Sequence, residues 1–316
     1  MNPDLWTQVE LYVGLRIALG YSVRSEEKLL KDFVRFLNRQ SGNETIRAQM
    51  ALEWACSPSP KRGPAGQSSR LKVVRRFLSY LQAVIPGTEV PGPHLLPPIR
   101  RPKPYIYSPE ELHQLIEAAS QLGPRGSLRP YTFTALIGLL ASTGLRAGEA
   151  LRLTVGDVHL QADPPHLQIV RTKFRKSRLV VLHPTVAEKM PLYAAQRRKL
   201  AYDALSDAFF VSEQGDHIRY DALRETFLKL ARRAGIRKSE TGRGPSLHAL
   251  RHTFAIERMR VWQSNGESIK DLLPHLSVYL GHVQPAHTYW YLTATPELLT
   301  MAGDAFHAYA HEGGNE

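Results

Sequence analysis

Three observations in the 316-residue sequence predict a mainly α fold with a small β-sheet, carried by two domains. Apolar residues recur at helical spacing through most of the chain, one short stretch alternates as a hairpin does, and seven prolines fall within residues 86–104. Proline fixes φ and lacks an N–H, so that stretch joins neither a helix nor a sheet ladder and reads as an extended linker. It separates a helical domain, residues 1–85, from a second domain, residues 105–316. Both are long enough to bury a core without help from metal or disulfide.

In the first domain, Leu5, Val9, Val13 and Ile17 lie four residues apart and the pattern stops at Gly20, a fitting helix C-terminus. Leu29, Leu30, Phe33, Phe36 and Leu37 repeat the periodicity after Ser25, an expected N-cap followed by Glu26 and Glu27. A third helix is predicted over residues 45–55 and a loop over residues 57–66. Beyond the loop, Leu71, Val74, Phe77, Leu78 and Leu81 make one apolar face, with Arg70, Lys72, Arg75 and Arg76 largely off it. The second domain opens with Ser108, Pro109 and Glu111: an N-cap, a proline at N1 and a capping-box glutamate at N3. A buried helix over residues 131–143 ends at Gly144. Leu167, Ile169, Arg171 and Lys173 then alternate along a strand, a basic turn comes next, and residues 179–182 return. Residues 185–310 read as mostly helical.

Charge narrows the partner. Lysine plus arginine number 41 against 29 aspartate plus glutamate, a formal +12 that favours a polyanion. Residues 1–104 hold 16 basic and 8 acidic side chains, net +8, and after Lys270 there are five acids and no lysine or arginine. Lys72, Arg75, Arg76, Arg70 and, at the end of the linker, Arg100, Arg101 and Lys103 are therefore candidates for tracking phosphates; a solvated helix face is the alternative. The longest apolar run, residues 135–141, is far short of a membrane span. One cysteine, Cys56, excludes a disulfide framework and a cysteine-based zinc site. With no signal-peptide pattern at the N-terminus, a cytoplasmic location is expected.

Four islands in the second domain carry chemistry. In residues 143–149 (TGLRAGE), Arg146 follows a glycine-ended helix at the start of the next, where backbone N–H groups favour an anion; a surface ion pair with Glu149 is the plainer alternative. Residues 171–178 (RTKFRKSR) place five basic residues in eight on the hairpin, so Arg171, Lys173 and Arg175 share one face. In residues 248–252 (HALRH), His248 and Arg251 share a helix face, while His248 and His252 at i, i+4 could instead ligate a metal. No glutamate follows His248 as a metalloprotease helix requires, and no metal or other cofactor is expected. The fourth island is Gly281-His282, with Tyr291 nine residues beyond the histidine.

In this order and spacing, TGLRAGEAL, RTKFRKSRLVVL, HALRHTFA and LGHVQPAHTYWYL resemble the boxes of the tyrosine recombinase, or phage integrase, family of site-specific DNA recombinases. The stretch between Arg251 and His282, including residues 262–276, is longer than in the family's compact chromosome-dimer recombinases and is similar to that of recombinases of transposons and other mobile elements. The resemblance covers essentially the whole chain and implies a C-shaped DNA clamp, with a helical core-binding domain on one side of the duplex and an α+β catalytic domain on the other. It implies that Arg146 and Arg251 bind the scissile phosphate, that Lys173 is the general acid with Lys176 as alternative, and that His248 and His282 complete the pocket. Tyr291 is then the nucleophile, with Tyr289 the competitor, Glu149 and His252 support the pocket, and Arg171, Arg175 and Lys176 contact DNA. The implied partners are a double-stranded recombination site and other protomers: a dimer on one site, a tetramer in synapsis, with or without a second recombinase of the family. The acidic C-terminal tail, which has Leu298, Leu299, Phe306 and Tyr309, is expected to dock on a neighbouring protomer.

The side chains suit that chemistry. Attack on a phosphodiester builds charge on nonbridging oxygens, which two guanidinium groups bind bidentately without a metal. An unperturbed phenol near pKa 10 needs such a pocket and a nearby base. Two other readings stay open from sequence: a type IB topoisomerase, which uses the same chemistry without synapsis, and a catalytically silent DNA-binding regulator.

Overall fold

The computed structural model describes residues 4–21, 23–40, 45–58, 63–98, 103–170, 177–200, 206–237, 244–282 and 284–293. The chain divides into two compact units, Met1–Pro102 and Lys103–Glu316.

The first unit contains α1 (Leu5–Ala18), α2 (Arg24–Arg39), α3 (Ala48–Cys56) and α4 (Pro64–Leu81). Val9, Leu30, Phe33, Trp54, Phe77 and Leu78 close its core. The Asp4 carboxylate accepts from the Trp6 and Thr7 N–H groups and caps α1. Ser25 is not a cap: α2 starts at Arg24 with Val23 in the N-cap position, which leaves Ser25 inside the first turn. The third helix starts later than its periodicity suggests because Glu89 claims the approach to it. The Glu89 N–H donates to the Ile46 carbonyl, and its carboxylate accepts from the Ala48 N–H at 2.9 Å. Pro64 at N1 starts α4 earlier than expected. The proline-rich stretch differs from a free linker, since Thr88 and Pro91 are buried and Val90 and Leu96 pack on the first core.

Arg70 does not join the basic face of α4. It is buried, its guanidinium lies 3.6 Å over the Trp54 ring, donates to the Trp54 carbonyl at 3.0 Å and pairs with Asp32 at 3.4 Å. A long cationic stem one helical turn from Val74 has enough reach to snorkel inward over an aromatic ring, which periodicity alone does not register.

The second unit contains α5 (Pro109–Ser120), α6 (Arg129–Thr143), α7 (Ala147–Ala150), α8 (Pro184–Leu200), α9 (Tyr220–Arg233), α10 (Leu247–Ser264), α11 (Ile269–Leu280) and α12 (Ala286–Tyr289). Between α7 and α8 lies an antiparallel sheet of β1 (Val158–His159), β2 (His166–Ile169) and β3 (Arg178–Val181), in the order β1-β2-β3. The capping box of α5 forms as its sequence predicts, with Ser108 and Glu111 each accepting the other's N–H. Between α8 and α9 the helical expectation fails: residues 208 and 211 form isolated bridges to Thr154 and His217. One core runs from Tyr107 through α6 to Leu250, with Leu136, Ile137 and Leu139 on α6 wholly buried in it, and a second gathers Ile256, Met259, Leu273, Leu276, Leu280 and Tyr291.

Glycine closes two of these helices. Gly144 at φ 62° caps α6, and Gly281 at φ 67° caps α11, both in the left-handed region that glycine enters without penalty. Space excludes other residues as well. A Cβ on Gly144 would lie 2.5 Å from the Phe254 ring, and one on Gly281 would lie 2.7 Å from the Arg178 guanidinium.

Candidate active site

The carbonyls at these two helix ends hold both arginines. Arg251 on α10, 1% exposed, donates from Nη1 to the Gly144 carbonyl and from Nη2 to the Leu280 carbonyl, each at 2.8 Å. Arg146, at the N-cap of α7, donates from Nη2 to the Gly281 carbonyl at 3.1 Å. Carbonyls at a helix C-terminus carry the negative end of the helix dipole, so they suit guanidinium groups. Burial, then the charge of Arg146, pushes Arg251 down to about 10, while Tyr291 and Glu149 act in the opposite sense. Arg251 is therefore still cationic at neutral pH.

Glu149 is not part of a surface pair. Its side chain is 2% exposed and bridges Arg146 at 2.8 Å and Arg178 at 2.9 Å. Burial would raise this carboxyl, but the hydrogen bond from Arg178 and the charges of Arg178 and Arg146 outweigh it and hold it below its usual range. Arg178 also donates from Nε to the Tyr279 carbonyl at 2.7 Å, which ties the start of β3 to the end of α11. Sequence reasoning counted Arg178 only as part of a basic turn. Arg178 stands opposite Ile169 in the ladder, two residues before the buried Val180.

The second set of groups is aromatic. His248 and His252 lie one turn apart on α10 with ring centroids 4.5 Å apart, and His252 Nδ1 is 3.1 Å from the Tyr291 hydroxyl. The His282 ring faces that of Tyr291 at 6.3 Å, and its Nδ1 is 2.6 Å from the Thr288 hydroxyl, a partner that sequence reasoning missed. Tyr291 is 2% exposed, whereas Tyr289 is 47% exposed. Burial first, then neighbouring cations, depresses all three histidines: His252 to about 4, His282 to about 3, and His248 below its usual value, chiefly through protein crowding and then Arg251 and Arg146. All three are neutral at pH 7.

The fold thus brings together Arg146, Glu149, His248, Arg251, His252, His282 and Tyr291 from α7, α10, α11 and the segment after it. Arg171, Lys173, Arg175 and Lys176 of the hairpin, Arg100 and Arg101 of the linker, and the tail beyond residue 293 lie outside the described residues. Lys72 and Lys103 are exposed, Arg75 is half-buried, and Arg76 is half-buried in an ion pair with Glu26 at 2.8 Å. Among the described residues no group of three or more His, Cys, Asp or Glu is arranged to hold a metal, and no helix is long and apolar enough to cross a membrane.

Residues 106–297 match the Phage integrase family, a span that contains both arginine boxes, the hairpin and Tyr291. The chain belongs to this family. It is 39% identical over 301 residues to the putative integrase/recombinase y4rB of Sinorhizobium fredii, covering 93% of this chain and 94% of that protein. The fold is that of the site-specific recombinase XerH, solved bound to palindromic difH substrate in a post-cleavage complex (TM-score 0.67, 19% identity, 90% of this chain and 80% of the other). A lambda integrase tetramer bound to a Holliday junction gives a TM-score of 0.64 at 13% identity, over 91% of this chain and 76% of the other. The protein is a tyrosine-type site-specific recombinase.

The depressed histidines make this recombinase sensitive to mild acid. Folded, His252 and His282 bind protons only near pH 4 and 3, whereas unfolded they do so near the usual 6.5. Between those limits the unfolded chain holds more protons, so stability falls as the pH drops below 6.5. The urea midpoint of the catalytic unit is expected to be lower at pH 5 than at pH 7, and His282→Asn to shrink the difference. A midpoint that is flat across this window contradicts the histidine assignment.

Proposed function

We propose that this recombinase cleaves and rejoins DNA through a 3′-phosphotyrosyl bond at Tyr291, in the integration, excision or transposition of a mobile element. The observation that carries the reading is the position of the Tyr291 hydroxyl beside His252 and within the electrostatic reach of Arg251, whose guanidinium is fixed by two helix-end carbonyls. Arg251 and Arg146 grip the nonbridging oxygens of the scissile phosphate and stabilise the charge that develops there, each contact contributing about 3 kcal/mol to the transition state. Their backbone acceptors orient both guanidinium groups before DNA arrives, so little reorganisation is left for the reaction. His248 and His282 line the same pocket, and Glu149 fixes Arg146. Lys173 on the hairpin protonates the departing 5′ oxygen, with Lys176 the alternative donor. The phosphotyrosyl bond is of similar energy to the one broken, so a second 5′-hydroxyl reverses the step without ATP.

The partners in this reading are a double-stranded recombination site and further protomers, two on a site and four in synapsis. Lys72, Arg75 and Lys103 add phosphate contacts that supply affinity with little sequence readout and a steep salt dependence.

Selection from random DNA tests the reading. The protein is incubated with a pool of nicked duplexes of randomised core, SDS-resistant adducts are captured, and both the DNA and the modified peptide are sequenced. Enrichment of one core with Tyr291 as the modified residue is expected. An adduct on another residue refutes the nucleophile, and complete absence of adducts from an exhaustive pool refutes the mechanism. A topoisomerase instead relaxes plasmid without any core being enriched.

A further inference from the structure

We infer that His252 is the group that takes the proton from the Tyr291 hydroxyl during cleavage and returns it during rejoining. The inference rests on Tyr291 being the nucleophile, and it gives His252 a role in the chemistry rather than in supporting the pocket. Three observations carry it.

The first is contact. Nδ1 of His252 is 3.1 Å from the phenolic oxygen, within direct proton-transfer reach. The second is the fit of the ring between its neighbours. His252 lies edge-on to Trp290 at 5.4 Å, to Tyr291 at 5.4 Å and to His248 at 4.5 Å, so its plane is fixed from both α10 and the segment that carries the tyrosine. The third is the occupation of the other two histidines. His282 turns Nδ1 to the Thr288 hydroxyl at 2.6 Å, and its ring lies nearly parallel to that of Tyr291, with an interplanar angle of 23°. His248 stands one turn back on α10 and packs its ring edge-on to that of His252.

The charges facing the ring favour the neutral form at rest. His252 is half-buried, and His248 and Arg251 hold its acidity high enough that Nδ1 is a free acceptor at neutral pH. With the proton on Nε2, Nδ1 accepts the hydroxyl hydrogen. As Oη bonds to phosphorus, the P–O5′ bond breaks, the phenolic proton moves to Nδ1 to give an imidazolium, and the 5′ oxygen takes its own proton from the general acid. The dianion character that develops on the pentacoordinate phosphorus compensates the new cation, which Arg251 and His248 otherwise disfavour. Reversal passes the same proton back.

The test uses the enriched core duplex, made as a nicked substrate and followed in single turnover. His252→Asn keeps an acceptor oxygen near the position of Nδ1 but cannot take up a proton. Cleavage is expected to slow by about 10²-fold or more, with half-site binding unchanged. A more acidic phenol needs its base less, so difluorotyrosine at position 291 is expected to speed the Asn variant by about tenfold or more, and wild type far less. Cleavage by the variant within about threefold of wild type, or a deficit that the fluorinated phenol does not relieve, overturns the proposal in favour of a packing role. If wild-type protein forms its adduct elsewhere than Tyr291, the nucleophile assignment fails first and this inference with it.

Discussion

Replacing Tyr291 by phenylalanine is expected to abolish the SDS-resistant adduct, a loss of at least about 10⁴-fold in cleavage, while half-site affinity stays within about twofold. The ring still fills its buried site against Trp290 and His282, so the pocket keeps its shape. What disappears is the one oxygen in line with the histidine on α10. A buried acceptor that loses its donor costs about 1–3 kcal/mol, so the variant also melts slightly lower than wild type. Tyr289, two residues away and half-exposed, does not substitute, and Tyr289→Phe is expected to cleave at close to the wild-type rate. Gel shift with the selected duplex separates binding from chemistry. Adduct formation by Tyr291→Phe at more than a trace level moves the nucleophile elsewhere.

The residues that the fold gathers around Arg251 are attached to short local signals in the sequence. An arginine two residues after a helix-ending glycine is seen in residues 143–149 without any structure, as is a histidine three residues before an arginine on one helix face. Proline marks a boundary in the sequence but not where the proline-rich segment rests, since Glu89 bonds to Ala48, 41 residues away, and to Ile46. Contacts across long sequence separations were hidden for the same reason. The ion pair of Arg178 with Glu149 spans 29 residues and the bond of His252 with Tyr291 spans 39, and neither has a periodicity that a sequence displays. Arg70 shows the opposite error, in which a charged residue beside an apolar stripe reads as surface until an aromatic ring is found beneath it.

Glu149 is where fold and chemistry depend on the same atoms, and Glu149→Ala is expected to destabilise the catalytic unit by about 3–5 kcal/mol. Arg178, whose side chain is 10% exposed, would be left as a buried cation facing no carboxylate, and that uncompensated charge dominates the loss. Arg146 is 37% exposed and water replaces much of what it gives up, so its half of the bridge contributes little to stability. In the proposed reaction its half matters for activity, because a guanidinium released from Glu149 holds only the Gly281 carbonyl and would no longer meet a phosphate at a fixed angle. Hydrogen exchange separates the two units: peptides from α10 and α11 are expected to lose protection, and peptides from α4 to keep it. Adding Arg178→Met to Glu149→Ala removes the stranded cation and is expected to recover at least about 1 kcal/mol, a coupling that a simple loss of packing does not produce. Acid gives an independent reading. Because the folded carboxyl sits below its ordinary value of 4.5, its stabilisation is complete above that pH and is lost as the pH falls through the depressed value. Glu149→Gln therefore removes a component of acid unfolding that begins only below pH 4.5, whereas the histidine component begins below 6.5 and runs down to about 3. If Glu149→Ala unfolds within about 1 kcal/mol of wild type, the bridge between β3, α7 and the end of α11 is not what holds the phosphate pocket together.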